Sequence, residues 1–361
     1  MNTPIMDLRL GYSKEFNLSV LERSFVLPKD LNALSAFLEG KEEGYSLLNF
    51  LNQWYDPTEY IYQFTSGSTA KPKKIALEKR KMILSAQRTL DYFKIQPNSR
   101  FLLCLHFDYI AAKMQLIRAL VSGGEAVVVF PRANPMDFIS GLIDFAAMVP
   151  LQLESSKKEM HRLKTVLLGG VGIKTDLRLP YGCLTEIYEG FGMTESYTHI
   201  AIRSLYPITE SVFKAMPKVF IDADENQALI VKDAYLDLTL QTRDKILLHS
   251  ESQFEYVGRL DWVINSGGVK IQSEEVEAIL QKHINKHLFV AGKPDAVLGE
   301  KLVLIIESSE KSADSFESML KKIDEFKPYH RPKEIYVLPE FVRSNSQKLL
   351  RAETLRLIDG F

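Results

Sequence analysis

A run of hydroxyl-bearing residues around one glycine, followed by lysines, is the strongest chemical signal in the sequence. The run consists of Thr65, Ser66, Gly67, Ser68 and Thr69, and Lys71, Lys73 and Lys74 follow it. Backbone N–H groups, hydroxyls and nearby cations are the donors that a polyphosphate requires. The order GxxxxGK[ST] of a Walker A loop is absent. A flexible basic surface loop would have the same composition, so residue types alone leave phosphate binding and a solvated loop both open.

A second segment, YEGFGMTES at 188–196, places a carboxylate beside hydroxyls on a tight turn. Glu195 next to Thr194 suits Mg²⁺, which prefers a few carboxylates together with phosphate oxygens and water. Glu195 stands where the third glycine of a dinucleotide fingerprint would be, which argues against a Rossmann NAD site. The alternative is an exposed glutamate on a turn at a strand end.

A third group of polar residues follows between 242 and 270. Asp244 could accept both hydroxyls of a ribose, and Arg259 could donate to the same sugar or to a phosphate. Gly267 and Gly268 would allow a close backbone approach or a hinge. Each of these residues also occurs in ordinary turns.

Three patterns that resemble functional sites fit structural roles better. His283 and His287 are four apart, but HINKH lacks the glutamate of HExxH, and a solvated helix end is the better interpretation. The stretch 222–226, DADEN, begins like a calcium loop, but Gln227 stands where the glycine is required, so we expect a hairpin turn. Cys104 lies in an apolar run and reads as a small buried hydrophobic residue.

Strand-like and helical segments alternate from about residue 60. RFLLCLHF, EAVVVF, KTVLLGG and TEIYEGF are strand-like, whereas 78–93, YIAAKMQLIRALVSGG and MDFISGLIDF read as helical. This alternation predicts βαβ units and a largely parallel sheet. From about residue 215, short β-like runs with turn residues between them predict a β-rich, antiparallel part, and the last hundred residues read as α+β.

The predicted fold class is therefore α/β with two domains, which the length of 361 residues accommodates. We expect a large N-terminal domain, 1–258, of parallel α/β sheets with a β-rich subdomain. A small, mobile α+β C-terminal domain, 259–361, follows, with a hinge near Asp261.

Composition narrows the class of protein. Hydrophobic residues make up 46% and charged residues 25%, which excludes a disordered or fibrous chain. Basic and acidic residues number 45 and 46, so nothing favours nucleic acid or an anionic membrane as a partner. The two cysteines build no disulfide framework. We see neither a signal peptide nor an apolar run long enough to span a membrane, and we expect a cytoplasmic protein.

Taken in order, the motifs resemble those of the adenylate-forming superfamily of acyl- and aryl-CoA ligases, carrier-protein adenylation domains and luciferases. FTSGSTAKPKK is similar to its phosphate loop, YEGFGMTES to its adenine and Mg²⁺ motif, and QTRD to its ribose motif. YVGRLDWVINSGGVKIQSEEVE is similar to its hinge-to-CoA motif, and SNSQKLLR to its catalytic-lysine motif. Five motifs in this order, from about residue 60 to the end, are more specific than any one of them.

Finer matches point to one group within the superfamily. LLCLHFDYIAAKMQLIRAL, MVPLQLE, GMTESYTHIAIR and WVINSGGVKI resemble most the o-succinylbenzoate–CoA ligases of menaquinone biosynthesis, in a short form. The resemblance implies a ligase that uses ATP, Mg²⁺ and coenzyme A to form an acyl-adenylate and then a CoA thioester. The implied partners are small molecules, including an aromatic dicarboxylate, with neither nucleic acid nor membrane insertion; a homodimer stays open.

The resemblance also implies roles for residues of the N-terminal domain. Residues 65–69 and Lys73 would hold the β- and γ-phosphates. Thr194 and Glu195 would serve the α-phosphate and Mg²⁺. The adenine would be framed by Gly169, Gly170, Gly190, Phe191 and Gly192.

Further roles fall near and beyond the predicted hinge. Asp244 and Arg259 would bind the ribose, and Lys348 would bridge the substrate carboxylate and the α-phosphate during adenylation. The C-terminal domain would then turn about Asp261, bringing the segment 267–268 (Gly267 and Gly268) to the CoA tunnel.

Three positions depart from the family pattern. Ala70 replaces a glycine of the phosphate loop, Arg243 replaces the glycine of TGD, and Gln347 replaces the glycine before the catalytic lysine. None of the three removes a charged catalytic group, so they bear on rate and loop geometry more than on activity.

The second carboxylate of o-succinylbenzoate needs a cationic or multi-donor partner, because an unpaired buried charge is costly. The candidates around the acyl group are His106, Lys113, Arg118 and His199, and each could also be a surface charge or a core residue. The alternatives for the whole chain are a generic fatty or aromatic acyl-CoA ligase, a carrier-protein adenylation enzyme and a non-catalytic nucleotide-binding protein.

Overall fold

The computed structural model describes residues 15–65, 73–169, 179–180, 182–309, 313–327, 329–343, 349–359 and 361. Its helices are α1 (Leu31–Leu38), α2 (Glu42–Tyr55), α3 (Lys79–Tyr92), α4 (Ile110–Ser122), α5 (Pro150–Ser155), α6 (Ser273–His283), α7 (Asp314–Lys321) and α8 (Arg351–Leu355). Its strands are β1 (Phe16–Val20), β2 (Arg23–Leu27), β3 (Tyr60–Thr65), β4 (Lys73–Glu78), β5 (Arg100–Leu103), β6 (Glu125–Val128), β7 (Ile143–Met148), β8 (Leu163–Leu168), β9 (Glu186–Gly192), β10 (His199–Tyr206), β11 (Phe213–Ala215), β12 (Val219–Ala223), β13 (Ala228–Asp233), β14 (Leu238–Ser250), β15 (Gln253–Arg259), β16 (Val263–Ser266), β17 (Val269–Gln272), β18 (Leu288–Asp295), β19 (Gly299–Glu307) and β20 (Glu334–Leu338).

The chain divides into two compact units. The first comprises Met1–Ile221, Val231–Leu240 and Glu251–Gln253, and the second comprises Asp222–Ile230, Gln241–Ser250 and Phe254–Phe361. The domain boundary at 258/259 and the hinge at Asp261 stay predictions.

The first unit contains a sheet whose central strands run parallel. Their order is β1-β6-β5-β7-β8-β9, with β2 antiparallel to β1 at one end and β10 antiparallel to β9 at the other. The apolar runs of β5, β7 and β8 are buried, as expected for parallel strands covered on both faces. The prediction of an α/β fold with a largely parallel sheet is confirmed.

Local sequence explains where several elements end. Helix α4 stops at Gly123, which adopts the left-handed conformation that favours glycine after a helix, with φ of 70°. The helix predicted for MDFISGLIDF is wrong. A short 3₁₀ turn covers Pro135–Phe138, Gly141 has φ of 76°, and β7 begins at Ile143. Arg100 Nη1 donates to the carbonyls of Ser140 and Leu142 and fixes this break.

The second unit contains a smaller sheet with the order β17-β16-β19-β18, and β20 lies parallel to β19. Helices α6 and α7 pack on one face, where Val276, Leu280 and Phe316 join apolar residues of the strands. Phe289, Val303 and Phe341 form a second cluster, to which partly buried residues of 349–361 contribute. This α+β arrangement matches the prediction. No helix among the described residues is long and apolar enough to cross a membrane.

Candidate active site

The described residues expected to frame the adenine lie at the carboxyl ends of neighbouring parallel strands. Strand β8 ends at Leu168, which lies opposite Glu189 of β9, so Gly169 leaves the sheet beside the stretch Gly190–Gly192, in which β9 continues and pairs with β10. His106 follows β5, two strands away, at the same edge. The carboxyl ends of parallel strands form the edge at which ligands bind in α/β sheets.

Gly192 is required because strand β10 returns very close to it. A Cβ atom at Gly192 would lie 2.2 Å from the carbonyl oxygen of Thr198 and 2.6 Å from the Cα of His199. A Cβ at Gly190 would come within 3.2 Å of the His199 side chain. Any side chain at Gly192 would push β10 away, so this glycine shapes the turn that carries the motif.

The turn Thr194–Ser196 is fixed by the hydroxyl of Ser196. This hydroxyl accepts from the backbone N–H of Met193 at 3.0 Å and contacts the carbonyl oxygens of Met193 and Thr198 at 2.9 and 2.6 Å. The side chains of Thr194 and Glu195, both half-buried, have no hydrogen bond or ion pair with any described residue. The turn thus presents a hydroxyl and a carboxylate that are unpaired within the part of the chain that the structure describes.

The donor set of this turn fits Mg²⁺ better than a metal bound by protein alone. Within the described ranges, no three His, Cys, Asp or Glu side chains group closely enough to hold a metal ion. One carboxylate at Glu195 suits an ion that takes its remaining ligands from phosphate oxygens and water.

An ion pair beside this motif was not predicted from the sequence. Arg203 of β10 lies directly across from Glu189 of β9, and the two form an ion pair at 2.6 Å. Arg203 also lies over the ring of Phe213, and Phe213 packs on Phe191 at 5.5 Å between centroids. This pair holds the strand of the adenine motif, and only the cross-strand register reveals it.

In the second unit, the two residues expected to bind the ribose are in contact. Arg259 Nη1 donates to Asp244 Oδ1 at 2.9 Å. Burial raises the pKa of the Asp244 carboxyl, while the charge of Arg259 acts against that rise. Arg259 Nη2 also donates to Asp261 Oδ2 at 2.7 Å, and Arg243 donates to the other oxygen of Asp261.

Glu274 holds the backbone next to this cluster and was not predicted. Its Oε1 accepts from the N–H of Arg259 at 2.9 Å, and its Oε2 accepts from Gln272 Nε2 at 2.6 Å. A Cβ atom at Gly258 would lie 2.5 Å from the carboxylate of Glu274. Gly258 is therefore needed so that Glu274 can reach the backbone of Arg259.

Gly267 and Gly268 form the two-residue turn between β16 and β17. Ser266 pairs with Val269, and the two glycines have φ of 59° and 82°. Positive φ at both positions is typical of a type I′ hairpin turn. Their proposed contact with CoA stays a prediction.

His106 lines a cavity of about 500 Å³ with the turn between α1 and α2. The other lining residues are Gly40, Lys41, Glu42 and Glu43. His106 is partly exposed, and its Nδ1 lies 3.3 Å from Asp108 Oδ2. No sequence pattern predicts that residues 40–43 approach His106.

Lys113 is buried beside the strand that precedes the predicted phosphate loop. Its Nζ donates to Gln63 Oε1 at 2.6 Å, and Gln63 Nε2 donates to the carbonyl of Asp108 at 2.5 Å. Burial lowers the pKa of Lys113 to about 8, and the charge of Asp108 opposes that shift. Contacts therefore run from Lys113 through Gln63 to the loop that carries His106.

Arg118 and His199 both contact the hydroxyl of Thr198 and form a group separate from the contacts of Lys113. Arg118 Nη2 donates to Thr198 Oγ1 at 2.7 Å, and His199 Nδ1 lies 3.3 Å from the same oxygen. Burial lowers the pKa of Arg118 to about 9, and the pKa of His199 lies well below its usual value because of burial and the charges of Arg118 and Arg88. His199 is thus a neutral ring near pH 7.

Several expected site residues fall outside the described ranges, namely Ser66, Gly67, Ser68, Thr69, Gly170 and Lys348. Thr65 ends β3 and pairs with Lys73, the first residue of β4. Cys104 is buried, as expected, and burial raises the pKa of its thiol to about 12. Asp224 Oδ1 accepts from the backbone of Asn226 and Ala228, which confirms the hairpin turn at 222–226.

Comparisons with known proteins agree with these features. The model of the AMP-binding enzyme family matches residues 29–228. A solved acyl-CoA synthetase (AMP-forming)/AMP-acid ligase II-like protein from Dyadobacter fermentans is 30% identical, with a TM-score of 0.54 over 88% of this chain and 95% of that one. The chain belongs to the AMP-binding enzyme family.

Several of the curated relatives are 2-succinylbenzoate–CoA ligases. The 2-succinylbenzoate–CoA ligases of Haemophilus influenzae and Escherichia coli are each 25% identical to the chain, over 76% and 80% of its length. The chain spans 66% of the length of each, slightly under two thirds. The o-succinylbenzoate coenzyme A synthetase of Bacillus subtilis, solved with ATP and magnesium, has the same fold, with 21% identity, a TM-score of 0.68, and coverage of 81% of this chain and 69% of that one.

Proposed function

We propose that the chain is an AMP-forming carboxylate–CoA ligase that acts on o-succinylbenzoate. The observation that carries this proposal is the strand-end arrangement of Gly169 beside the Gly190–Gly192 segment. The turn that follows presents the side chains of Thr194 and Glu195, which have no partner among the described residues. Membership of the AMP-binding enzyme family and the 2-succinylbenzoate–CoA ligase relatives support the same activity.

The reaction has two steps. A carboxylate oxygen of the substrate attacks the α-phosphate of ATP, the bond to pyrophosphate breaks, and an acyl-adenylate forms. The thiol of CoA, having lost its proton, then attacks the acyl carbon, the thioester forms and AMP leaves. Neither step needs a nucleophile from the protein, so catalysis depends on positioning and on stabilising charge at the α-phosphate.

The residues of the site have distinct tasks in this scheme. Thr194 and Glu195 act at the α-phosphate and hold Mg²⁺, which offsets the charge of the phosphates. Asp244 accepts hydrogen bonds from the ribose hydroxyls while Arg259 donates to the same carboxylate and orients it. Residues 65–69 with Lys73 bind the β- and γ-phosphates, and Lys348 bridges the two reacting groups during the first step.

The acyl group lies near His106 and its second carboxylate pairs with a buried cation. Lys113 is the strongest candidate, because Gln63 and Asp108 connect it to His106. Arg118 offers a second cation, whose Nε has no partner among the described residues. His199 is neutral and would serve only as a hydrogen-bonding group.

A coupled assay of AMP and pyrophosphate release tests this proposal. We expect the release of AMP to require CoA. We also expect a higher kcat/KM for o-succinylbenzoate than for benzoate or a medium-chain fatty acid. Better turnover of either simple acid would leave a generic acyl-CoA ligase. ATP–pyrophosphate exchange without CoA thioester would favour a carrier-protein adenylation enzyme, and no ATP consumption with any acid would favour a nucleotide-binding protein.

A further inference from the structure

Tyr197 adopts a backbone conformation that residues with side chains rarely adopt. It directly follows the turn Thr194–Ser196, with φ of 67° and ψ of −37°. The N–H of Thr198 donates to the carbonyl of Ser196 at 2.8 Å, which closes a three-residue turn around Tyr197. A γ-turn of positive φ is the rarer and more strained of the two kinds. Such strain persists only where the surrounding structure holds the residue in place.

Burial of the ring holds Tyr197 in this conformation. The residue is 5% exposed, whereas every other described residue that has a positive φ and is not glycine is exposed. A strained residue on an exposed turn can relax into solvent, but a buried ring cannot move without displacing the atoms packed around it. Tyr197 is therefore fixed by packing as well as by the turn.

The hydroxyl of Tyr197 reaches the edge of β4. The backbone N–H of Glu78, the last residue of β4, donates to this hydroxyl at 3.4 Å. The N–H of the next residue, Lys79, donates to the carbonyl of Glu59 at 2.9 Å, on the side of β3. Successive N–H groups of a strand point to opposite sides, so the N–H of Glu78 faces away from β3. The Tyr197 hydroxyl thus supplies a partner at the outer edge of β4.

The residue after Tyr197 is firmly attached to its own surroundings. Thr198 Oγ1 accepts from Nη2 of the buried Arg118 at 2.7 Å, and the Thr198 carbonyl oxygen lies 2.6 Å from the hydroxyl of Ser196. The same carbonyl approaches Gly192 so closely that a Cβ atom there would lie 2.2 Å from it. A shift of Tyr197 would therefore be passed to the turn at 194–196 rather than to β10.

We propose that Tyr197 is a positioning residue for Thr194 and Glu195, acting through the strained turn that its ring and hydroxyl hold. This inference rests on the proposed function, in which those two side chains serve the α-phosphate and Mg²⁺. Neither side chain has a partner among the described residues, so within that part of the chain the backbone of the turn sets their direction. A displacement of about 1 Å from productive geometry can cost on the order of 100-fold in rate.

The two sides of the bond between Tyr197 and Glu78 can be removed separately. Tyr197→Phe keeps the buried ring and loses the acceptor. Glu78→Pro removes the donating N–H, and Glu78 has φ of −69°, which proline adopts. Glu78→Ala is the control for the proline variant, because it keeps the N–H and loses only the side chain with its ion pair to Lys81. Tyr206→Phe is the control for Tyr197→Phe, because it removes a hydroxyl that donates to the carbonyl of Cys183 at the far end of β10.

The first experiment measures pyrophosphate release at varied Mg²⁺ and substrate concentrations. Tyr197→Phe and Glu78→Pro should each lower kcat about tenfold and raise the Mg²⁺ concentration for half-maximal rate, with an unchanged KM for the carboxylic acid. The two controls should stay within about twofold of the wild type. The double variant should lose little more than either single variant, because both remove the same bond.

Wild-type kinetics in Tyr197→Phe, or losses that multiply in the double variant, would overturn the inference. If Tyr197→Phe fails to fold, Glu78→Pro against Glu78→Ala decides by the same kinetic criterion.

A second comparison separates positioning from general support of the fold. In the Glu195→Gln background, Tyr197→Phe should leave the Mg²⁺ concentration for half-maximal rate unchanged, because the carboxylate that Tyr197 positions is absent. If Tyr197→Phe raises that concentration equally with and without Glu195, its effect does not pass through Glu195 and the inference fails.

A third measurement does not depend on activity. The N–H groups of Tyr197 and Thr198 donate to the carbonyls of Thr194 and Ser196. In the protein without nucleotide, hydrogen–deuterium exchange of the peptide 193–200 should be about tenfold faster in Tyr197→Phe and Glu78→Pro than in the wild type and the two controls. Unchanged exchange would contradict the inference even if no acid is turned over, whereas an inactive wild type with the expected exchange rates would overturn the proposed function alone.

Discussion

The guanidinium of Arg243 donates to the carboxylate of Asp261, at the position predicted to be the hinge. Arg243 is the residue that departs from the glycine of the family's ribose motif. Asp261 already accepts from Arg259, so its carboxylate is held from two sides. Burial alone would raise the pKa of Asp261, but the hydrogen bonds from Arg259 and Arg243 lower it.

Replacement of Arg243 by glycine should affect turnover more than stability. The Arg243 side chain is 63% exposed, so its ion pair contributes about 0.5 kcal/mol at most to unfolding. We expect a Tm within about 2 °C of the wild type and a weaker dependence of turnover on salt, because one screened ion pair near the hinge is lost. If the salt dependence of turnover is the same in Arg243→Gly as in the wild type, Arg243 has no part in the catalytic cycle.

Replacement of Asp261 by proline should separate the two half-reactions. Proline fixes the backbone φ at the predicted pivot, whereas Asp261→Ala removes the same carboxylate and leaves the backbone free. We expect one half-reaction to survive in Asp261→Pro and both to survive in Asp261→Ala. If both proceed normally in the proline variant, the pivot lies elsewhere.

Replacement of Glu195 by glutamine should weaken Mg²⁺ dependence without weakening the fold. Its carboxylate has no partner among the described residues, so no structural contact is lost there. ATP turnover should fall and the Mg²⁺ concentration for half-maximal rate should rise, with Tm unchanged. A strong drop in Tm with normal Mg²⁺ dependence would make Glu195 a structural residue.

Replacement of Lys348 by alanine should stop adenylation and spare thioester formation. Loss of one charge-assisted contact at the reacting centre costs about 3–4 kcal/mol, or 10²–10³ in rate. The measurement compares pyrophosphate release with CoA thioester formation from supplied acyl-adenylate. An exposed lysine without function would change neither rate.

Replacement of Lys113 by methionine should raise the KM for o-succinylbenzoate far more than the KM for ATP. The Lys113 pKa of about 8 also predicts a pH effect. The ammonium is charged below that pH and neutral above it, so the wild-type KM for the dicarboxylate should rise as pH increases through about 8. This rise should be absent from Lys113→Met and from wild-type turnover of benzoate, which lacks the second carboxylate.

The order of the strands and helices along the chain and the chemical character of the motifs could be predicted because both depend on residues that are close in sequence. The glycines of 190–192, the turn at 194–196 and the alternation of strands and helices follow from neighbouring residues. The contact between Asp244 and Arg259 follows from a shared ligand that the resemblance supplies.

Residues that act through distant partners could not be predicted. No motif singles out Glu274 or Arg203, and only the folded chain reveals their partners. The strands β1 and β2 and helices α1 and α2 precede every motif, and β1 pairs with β6 more than a hundred residues later. The helix predicted for 136–145 was wrong because Gly141 and the pairing of β7 with β5 and β8 outweigh its local pattern.

The position of β6 between β1 and β5 has a consequence for how the chain folds during synthesis. Both neighbours leave the ribosome before β6 does, and each keeps a row of unpaired backbone groups until β6 arrives. The edge of β1 thus stays open through the synthesis of about a hundred residues and that of β5 through about twenty, a state prone to aggregation. Insertion of Glu125–Val128 closes both edges at once, so this short strand, remote from all the chemistry, governs how safely the sheet assembles.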